Sequence, residues 1–384
     1  MEDTKKGINS VNNWAPESEY IFQQNPENTK KELLERLNDT PFSIHGKLRL
    51  NGPNIVDKNG ETFQLKWVCP IMYDIYSWFA NKDIIKSLRD NRGCNVIRLA
   101  LYTEVPETVK EKVKWETWLT LNTHWYCGGN TDEKERLTKS IKDCVETCKE
   151  LWMYVIIDRH ILHEKTPQTH EEEAKEFFWY ISKTFKDCDN IIYEICNEPG
   201  WYKDGDGKYR EVSWEEIKEY ADTIISIIKN NNKDAIIVVG TPHRSQDIVI
   251  KPEDRINKRN NIMYAFHFYA ASHQKLKDKL SNAINMKVPV FVSEFSICEY
   301  DWAWKIDMEE AKKWFKILDD SKISYVARNL SDYNQASSLL KPSTKFDELK
   351  VNSWEDSQYT ISLSEDDLSE TWKIILNHIK CDKK

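Results

Sequence analysis

Residues 153–199 read MYVIIDRHILHEKTPQTHEEEAKEFFWYISKTFKDCDNIIYEICNEP. Met153–Asp158 is a short run that is apolar at both odd and even positions, His170–Lys186 carries its apolar residues at helical spacing, and Ile191–Cys196 is a second two-faced apolar run. A strand buried on both faces, a helix and another such strand make a unit of a parallel sheet covered by helices. The unit closes on Asn197-Glu198-Pro199, an amide and a carboxylate at a strand end, with a proline that stops further pairing.

The same rhythm extends in both directions. Apolar runs recur at Leu65–Cys69, Asn95–Leu101, Ala235–Val239, Ile262–Phe266, Val288–Ser293 and Ile323–Val326, making eight candidate strands with the two above. Helical patterns lie at Lys82–Asp90, Glu133–Leu151, Ser213–Asn230, Gln274–Met286 and Asp307–Asp320, and Asp366–Ile379 reads as a closing outer helix. Ser213 with Glu216 three residues on is a capping box. Eight strand-and-helix units fit a closed barrel better than an open sheet, so the fold class is α/β, a single (β/α)8 TIM barrel. Residues 1–44 form a polar lead-in, with a short helical pattern at Thr29–Leu37. From Ile44 the sequence alternates around Asn51-Gly52 and Asn59-Gly60, which predicts a small N-terminal hairpin. The barrel domain thus spans 45–384, with an inserted loop near 103–131 that carries Trp115, Trp118, Trp125 and Tyr126. That loop reads equally well as an active-site rim or as a small satellite core.

Composition excludes several classes of function. The 384 residues are 40% hydrophobic, enough for a large core, and 55 Lys and Arg against 63 Asp and Glu give a charge of -8, which disfavours a nucleic-acid partner. The nine cysteines lack any Cys-x-x-Cys pair and read as buried thiols. No stretch approaches the roughly 20 apolar residues of a membrane span, and Met1–Ser10 shows no signal peptide. With 11 glycines and no glycine-rich loop after a strand, a nucleotide-binding sheet is disfavoured. The chemistry predicted below needs neither a metal nor an organic cofactor.

In such a barrel the carboxyl ends of the strands face the active site. Glu198 ends the fourth strand and Glu294 the seventh, and two carboxylates facing each other across the mouth are what glycoside hydrolysis requires. The second strand carries Arg98, the third ends Asp158-Arg159-His160, and the sixth ends His267-Phe268-Tyr269. Any one of these could be a core residue or a surface ion pair. Their joint occurrence on strands two, three, four, six and seven is the signal.

Together these residues resemble glycoside hydrolase family five, and within it the bacterial and plant-parasitic nematode endoglucanases. The resemblance runs from about His45 to Leu340 and rests on Asn197-Glu198-Pro199, Tyr264–Tyr269, Gly240-Thr241-Pro242 with Ser245-Gln246-Asp247, and Pro289–Glu294. It implies a retaining, endo-acting β-1,4-glucan hydrolase with Glu198 as acid/base and Glu294 as nucleophile. Arg98 would hold Glu294 ionised, Asn197 would bond the sugar 2-hydroxyl, Tyr269 would orient the nucleophile, and His160 and His267 would complete the shell. A polysaccharide substrate, a monomer and an extracellular location come with the same resemblance.

Three positions depart from those cellulases in one direction. Arg159 stands where their third strand ends Asp-Trp-His, Arg244 stands before Ser-Gln-Asp where they carry tryptophan, and Ala327-Arg328 stands where they carry Asn-Trp. If Arg159, Arg244 and Arg328 line the cleft, the substrate shifts toward an anionic β-glycan. Alternatively the barrel is a non-catalytic glycan-binding protein, or Arg159 or Arg244 faces outward and pairs with helix acids. Asn38-Asp39-Thr40 and Asn329-Leu330-Ser331 match the glycosylation pattern.

Overall fold

The computed structural model describes residues 40–70, 72–104, 126–127, 131–162, 164–248, 250–256, 260–302, 305–342 and 365–381. The lead-in pattern at Thr29–Leu37, the asparagine of the first glycosylation match, and Trp115, Trp118 and Trp125 of the 103–131 loop lie outside these residues. A short helix, Pro41–His45, leads into β1 (Arg49–Asn51) and β2 (Asn54–Val56), which pair antiparallel with Asn51 opposite Asn54. Gly52 supplies the positive φ of 61° that this tight turn needs.

The barrel is built from β3 (Lys66–Pro70), β4 (Val96–Tyr102), β5 (Tyr154–His160) and β6 (Ile191–Glu194). A hairpin, β7 (Trp201–Lys203) and β8 (Tyr209–Glu211), interrupts it before β9 (Ile236–Val239), β10 (Ile262–Tyr269), β11 (Val290–Ser296) and β12 (Tyr325–Leu330). The eight barrel strands are parallel in the order β3-β12-β11-β10-β9-β6-β5-β4. At the seam the Asn95 N–H donates to the Lys66 carbonyl at 3.1 Å, and Asn95 Oδ1 accepts from the Lys66 N–H at 2.8 Å, so β3 and β4 meet. Every residue of the eight strands is buried, because one face fills the barrel and the other lies under helices.

The helices follow the sequence pattern closely: Lys82–Arg92, Thr131–Glu150, Glu171–Thr184, Trp214–Asn231, Leu276–Asn285 and Met308–Asp320, with Glu370–Cys381 last. Ser213 and Glu216 form the capping box, the Ser213 Oγ accepting from the Glu216 N–H at 3.2 Å and Glu216 Oε2 accepting from the Ser213 N–H at 2.9 Å. Among the described residues, no helix is long and apolar enough to cross a membrane. Of the eight cysteines whose side chains are described, six are buried and all eight are free.

Two register shifts position the site. Along β10 and β11, Ala265 pairs with Phe291 but His267 pairs with Glu294, which leaves one extra residue in β11. This bulge turns two consecutive side chains, Ser293 and Glu294, to the interior, where a regular strand would send one outward. A second shift in β12 lies between Arg328, opposite Cys69, and Leu330, opposite Pro70.

Candidate active site

Strand alternation sends Arg98 of β4, Asp158 and His160 of β5, Glu194 of β6, and His267 and Tyr269 of β10 into the barrel. They form one polar cluster. Arg98, fully buried, donates from Nε to Glu194 Oε2 at 2.7 Å and from Nη2 to Glu194 Oε1 at 3.1 Å and Asn197 Oδ1 at 2.7 Å. Its Nη2 also meets Asp158 Oδ2 at 2.9 Å, and its Nη1 stands 3.5 Å from Glu294 Oε2. Burial would lower the Arg98 pKa, but Asp158 and Glu194 outweigh it and raise it. The sequence reading gave Arg98 to Glu294. In the structure its short bonds go to Glu194, a residue quoted in the strand and assigned no role.

Glu294 has a nearer cation. Arg328 Nη1 donates to Glu294 Oε1 at 3.1 Å, and the Tyr269 hydroxyl donates to the same oxygen at 2.6 Å. Burial pushes the Glu294 carboxyl up, but Arg328, then His267 and Arg98, more than offset this and hold it well below the usual carboxylate range. Arg328 is itself held: its guanidinium lies 4.3 Å over the ring of Trp302, whose Nε1–H donates to the Tyr269 hydroxyl at 3.3 Å.

On the other carboxylate, Glu198 Oε1 lies 2.9 Å from His267 Nδ1, and His267 Nε2 lies 2.9 Å from Ser293 Oγ. Glu198, His267 and Glu294 each offer an oxygen or ring nitrogen within 4.8 Å of the others, so the carboxylates face each other at close range. Asn197 is fully buried with its amide committed to the protein, Oδ1 to Arg98 and Nδ2 to the Ile161 carbonyl at 3.2 Å and His160 Nε2 at 3.3 Å. A sugar hydroxyl would compete with the longer of those contacts. His160 also meets Asp158 Oδ2 through Nδ1 at 2.7 Å, and burial, reinforced by Arg98, holds its pKa well below the usual histidine value.

The three arginines predicted to line the cleft part company. Arg159 does not reach it: being next to Asp158 and His160 in a regular strand, its side chain points outward, to the His170 carbonyl at 3.1 Å and the Tyr220 ring at 5.7 Å. It finds a carbonyl and a ring there rather than the helix acids of the outward alternative. Arg328 faces the cleft but its charge is spent on Glu294. Arg244 is exposed at the rim, in the turn Pro242–Ser245, where His243, Arg244 and Ser245 all have φ between 55° and 57°. Asn329 of the second glycosylation match is fully buried against Ser337, which removes it as an acceptor.

Sequence reasoning gave no role to Glu194 or to Asp158, though both were quoted in their strands, and it missed Trp302. For the first two a signal existed: a carboxylate at an interior position of a barrel strand has to meet a cation. Trp302, in the loop after β11, carried none. A cavity of about 680 Å³ lies instead beneath the N-terminal hairpin, lined by Lys47, Arg49, Lys58, Asp234, Arg255 and Asn261 among others. Its cations are largely occupied, Lys47 by Asp189 at 2.9 Å and Arg255 by the Met286 carbonyl at 2.6 Å, and it lies at the opposite end of the barrel from the paired glutamates.

Two glutamates facing each other across the mouth of a TIM barrel are the arrangement that a retaining glycoside hydrolase uses. The chain belongs to the cellulase family, glycosyl hydrolase family 5, whose sequence model matches residues 56–334. It is 32% identical over 359 residues to endoglucanase A of Butyrivibrio fibrisolvens, covering 92% of this chain and 73% of that one. It is 34% identical over 325 residues to an endoglucanase of Clostridium saccharobutylicum, covering 83% of this chain and 64% of the relative. Its fold matches the catalytic domain of Thermobifida fusca endoglucanase Cel5A, solved in complex with cellotetraose, with a TM-score of 0.72, 25% identity, and coverage of 88% of this chain and 99% of that one. The expected TIM barrel and the expected family are both borne out, and the substrate class is a polysaccharide.

Proposed function

We propose that the chain hydrolyses internal β-1,4 bonds of a β-glucan with retention, by double displacement between Glu294 and Glu198. The observation that carries this reading is the hydrogen-bond chain from Glu194 through Ser293 and His267 to Glu198. The single O–H of Ser293 donates to Glu194 Oε1 at 2.7 Å, so His267 Nε2–H donates to Ser293. One further proton then lies between His267 Nδ1 and Glu198 Oε1, where a general acid must hold it. Glu294 is its complement, an anion fixed through Oε1 by Tyr269 and Arg328, while Oε2 has, among the described residues, only the 3.5 Å Arg98 contact and is available to attack.

In the first displacement Glu198 protonates the glycosidic oxygen while Glu294 Oε2 bonds to the anomeric carbon and the C–O bond to the leaving sugar breaks. In the second, Glu198, now a carboxylate, takes a proton from water as that water displaces Glu294, so the configuration is restored. The family relatives named endoglucanase support the glucan substrate and internal cleavage. A monomeric, extracellular enzyme belongs to the same reading, since a polymer must be met outside the cell; light scattering tests the monomer. The decisive experiment is reducing-sugar release from a soluble neutral β-1,4-glucan, with proton NMR of the first product. A β-anomer appearing first supports the reading; an α-anomer, or no release, overturns it. Retention of both carboxylates with Arg98, His267 and Tyr269 around them argues against a barrel that only binds glycan.

A further inference from the structure

The loop that follows the proposed acid is gripped from both sides by residues bearing cations. The Arg244 N–H donates to the Pro199 carbonyl at 2.8 Å, and the Gly200 N–H donates to the Lys165 carbonyl at 2.9 Å. Both gripping residues hold left-handed backbone, Lys165 at φ 62° and Arg244 at φ 55°, a conformation that side-chain-bearing residues adopt only where surrounding contacts impose it. Their side chains converge. A Cβ placed on Gly200 would meet Arg244 Cγ at 3.5 Å and Lys165 Cδ at 3.8 Å, so both stems cross the same glycine, two residues beyond Glu198.

Neither charged group has a hydrogen-bond or ion-pair partner among the described residues. The nearby acids are engaged elsewhere: Glu211 with His243 Nδ1 at 3.0 Å, Glu164 with the Leu162 N–H at 3.1 Å and with the Thr103 hydroxyl, and Glu198 with His267. Burial and then the neighbouring Arg244 lower the Lys165 pKa, outweighing the opposite pull of Glu198 and Glu164. Just past Gly200 the β7–β8 hairpin presents Trp201, Lys203, Tyr209 and Glu211 on one face, with Trp201 51% and Tyr209 68% exposed. An exposed aromatic face beside an unpaired cation pair fits a pyranose ring that carries an acid, not a bare inorganic anion.

We propose that Lys165 and Arg244 form a subsite on the leaving-group side of the cleft that binds a carboxylate or sulfate carried by the departing sugar. The side follows from the chemistry: Arg328, Trp302 and Tyr269 surround Glu294, which bonds the retained sugar, whereas Lys165 and Arg244 adjoin the loop of Glu198, which protonates the leaving one. The proposal rests on that assignment of acid and nucleophile. It replaces a strip of three arginines by a pair, one of which, Lys165, the comparison with cellulases did not point to.

The test compares kcat/KM on hydroxyethyl cellulose, carboxymethyl cellulose and cellulose sulfate of matched substitution and chain length. The wild-type chain should prefer an anionic polymer by about ten-fold at low salt, and the preference should fade toward parity as ionic strength rises toward about 0.5 M. The polymer preferred distinguishes carboxylate from sulfate. Lys165→Met with Arg244→Met should abolish the preference, and Lys165→Arg should keep it. Mass spectrometry of the products should find the acid enriched on the sugar at the new non-reducing end. Parity at low salt, a double variant with the wild-type ratio, or enrichment at the new reducing end would each overturn the proposal. If no polymer is cleaved, the glucanase reading fails separately. Calorimetry with the Glu294→Gln chain then still decides the subsite, which requires carboxymethylated cello-oligosaccharides to bind more tightly than neutral ones.

Discussion

Beneath Glu294 and beyond Glu198 the same chain treats charge in opposite ways. Under the nucleophile, Arg98 and Arg328 are buried and meet Glu194, Asp158 and Glu294 at 2.7 to 3.5 Å. Beyond Glu198, Arg244 is exposed and Lys165 half-buried, and neither has a partner for its charge among the described residues. A buried ion costs several kcal/mol unless it is paired, so the floor must be closed to be stable at all. A cation that keeps contact with water stays partly hydrated and can wait for a ligand. The difference separates groups that shape the reaction from groups that select what enters it.

The sharpest way to break this contrast is Glu294→Gln. Turnover should vanish while the fold survives, read by reducing-sugar release and circular dichroism, because an amide cannot form the glycosyl ester. Residual hydrolysis by a clean preparation would place the nucleophile elsewhere. Glu198→Gln should lower kcat/KM on unactivated glucan by about 10²- to 10⁴-fold. It should do much less to aryl glycosides whose leaving group needs no proton, and equal losses on both would remove Glu198 from the role of acid.

The floor itself is tested by Arg98→Met, which strands Glu194 and Asp158 without their main cation. A loss of about 3 to 5 kcal/mol in denaturant unfolding is expected, whereas a loss below about 1 kcal/mol, the scale of an exposed pair, would mean the cluster is not closed. Arg328→Met removes the leading cation that depresses Glu294, so the carboxyl pKa rises and the acidic limb of kcat/KM should move to higher pH by about one unit. An unmoved limb would show that Arg98 and His267 suffice. The smallest effect concerns Asp158, which burial pushes from 3.8 to about 7 against the pull of Arg98. The folded state then holds this proton more tightly than the unfolded one, so its contribution is fully favourable below pH 3.8 and is lost as pH rises toward 7. Urea midpoints measured between pH 4 and 7 should lose part of their downward trend in Asp158→Asn.

The two regions also differ in how far they could be read from the sequence. Glu198, Glu294, Arg98, His267 and Tyr269 were legible because strand alternation and strand ends fix which residues face a barrel's mouth. The same rule, applied strictly, would have turned Arg159 outward, since its neighbours Asp158 and His160 face in. It would also have drawn Glu194 inward, two residues after Ile192. The β7–β8 hairpin had a signal too, the run Asp204-Gly205-Asp206-Gly207, which the sequence reading passed over.

The sequence by itself therefore determined the barrel, the family and the two glutamates, because periodicity and residue type survive without knowledge of contacts. Only the tertiary structure decided which cations are spent and which are free. The bulge in β11 breaks the two-residue period that sequence reading relies on, bringing Ser293 and Glu294 inward together, where Arg328 meets Glu294. Lys165 and Arg244 lie 79 residues apart in the chain and meet only because two left-handed turns close on one glycine. Pairing of charge is a property of distance in space, and no local pattern encodes it.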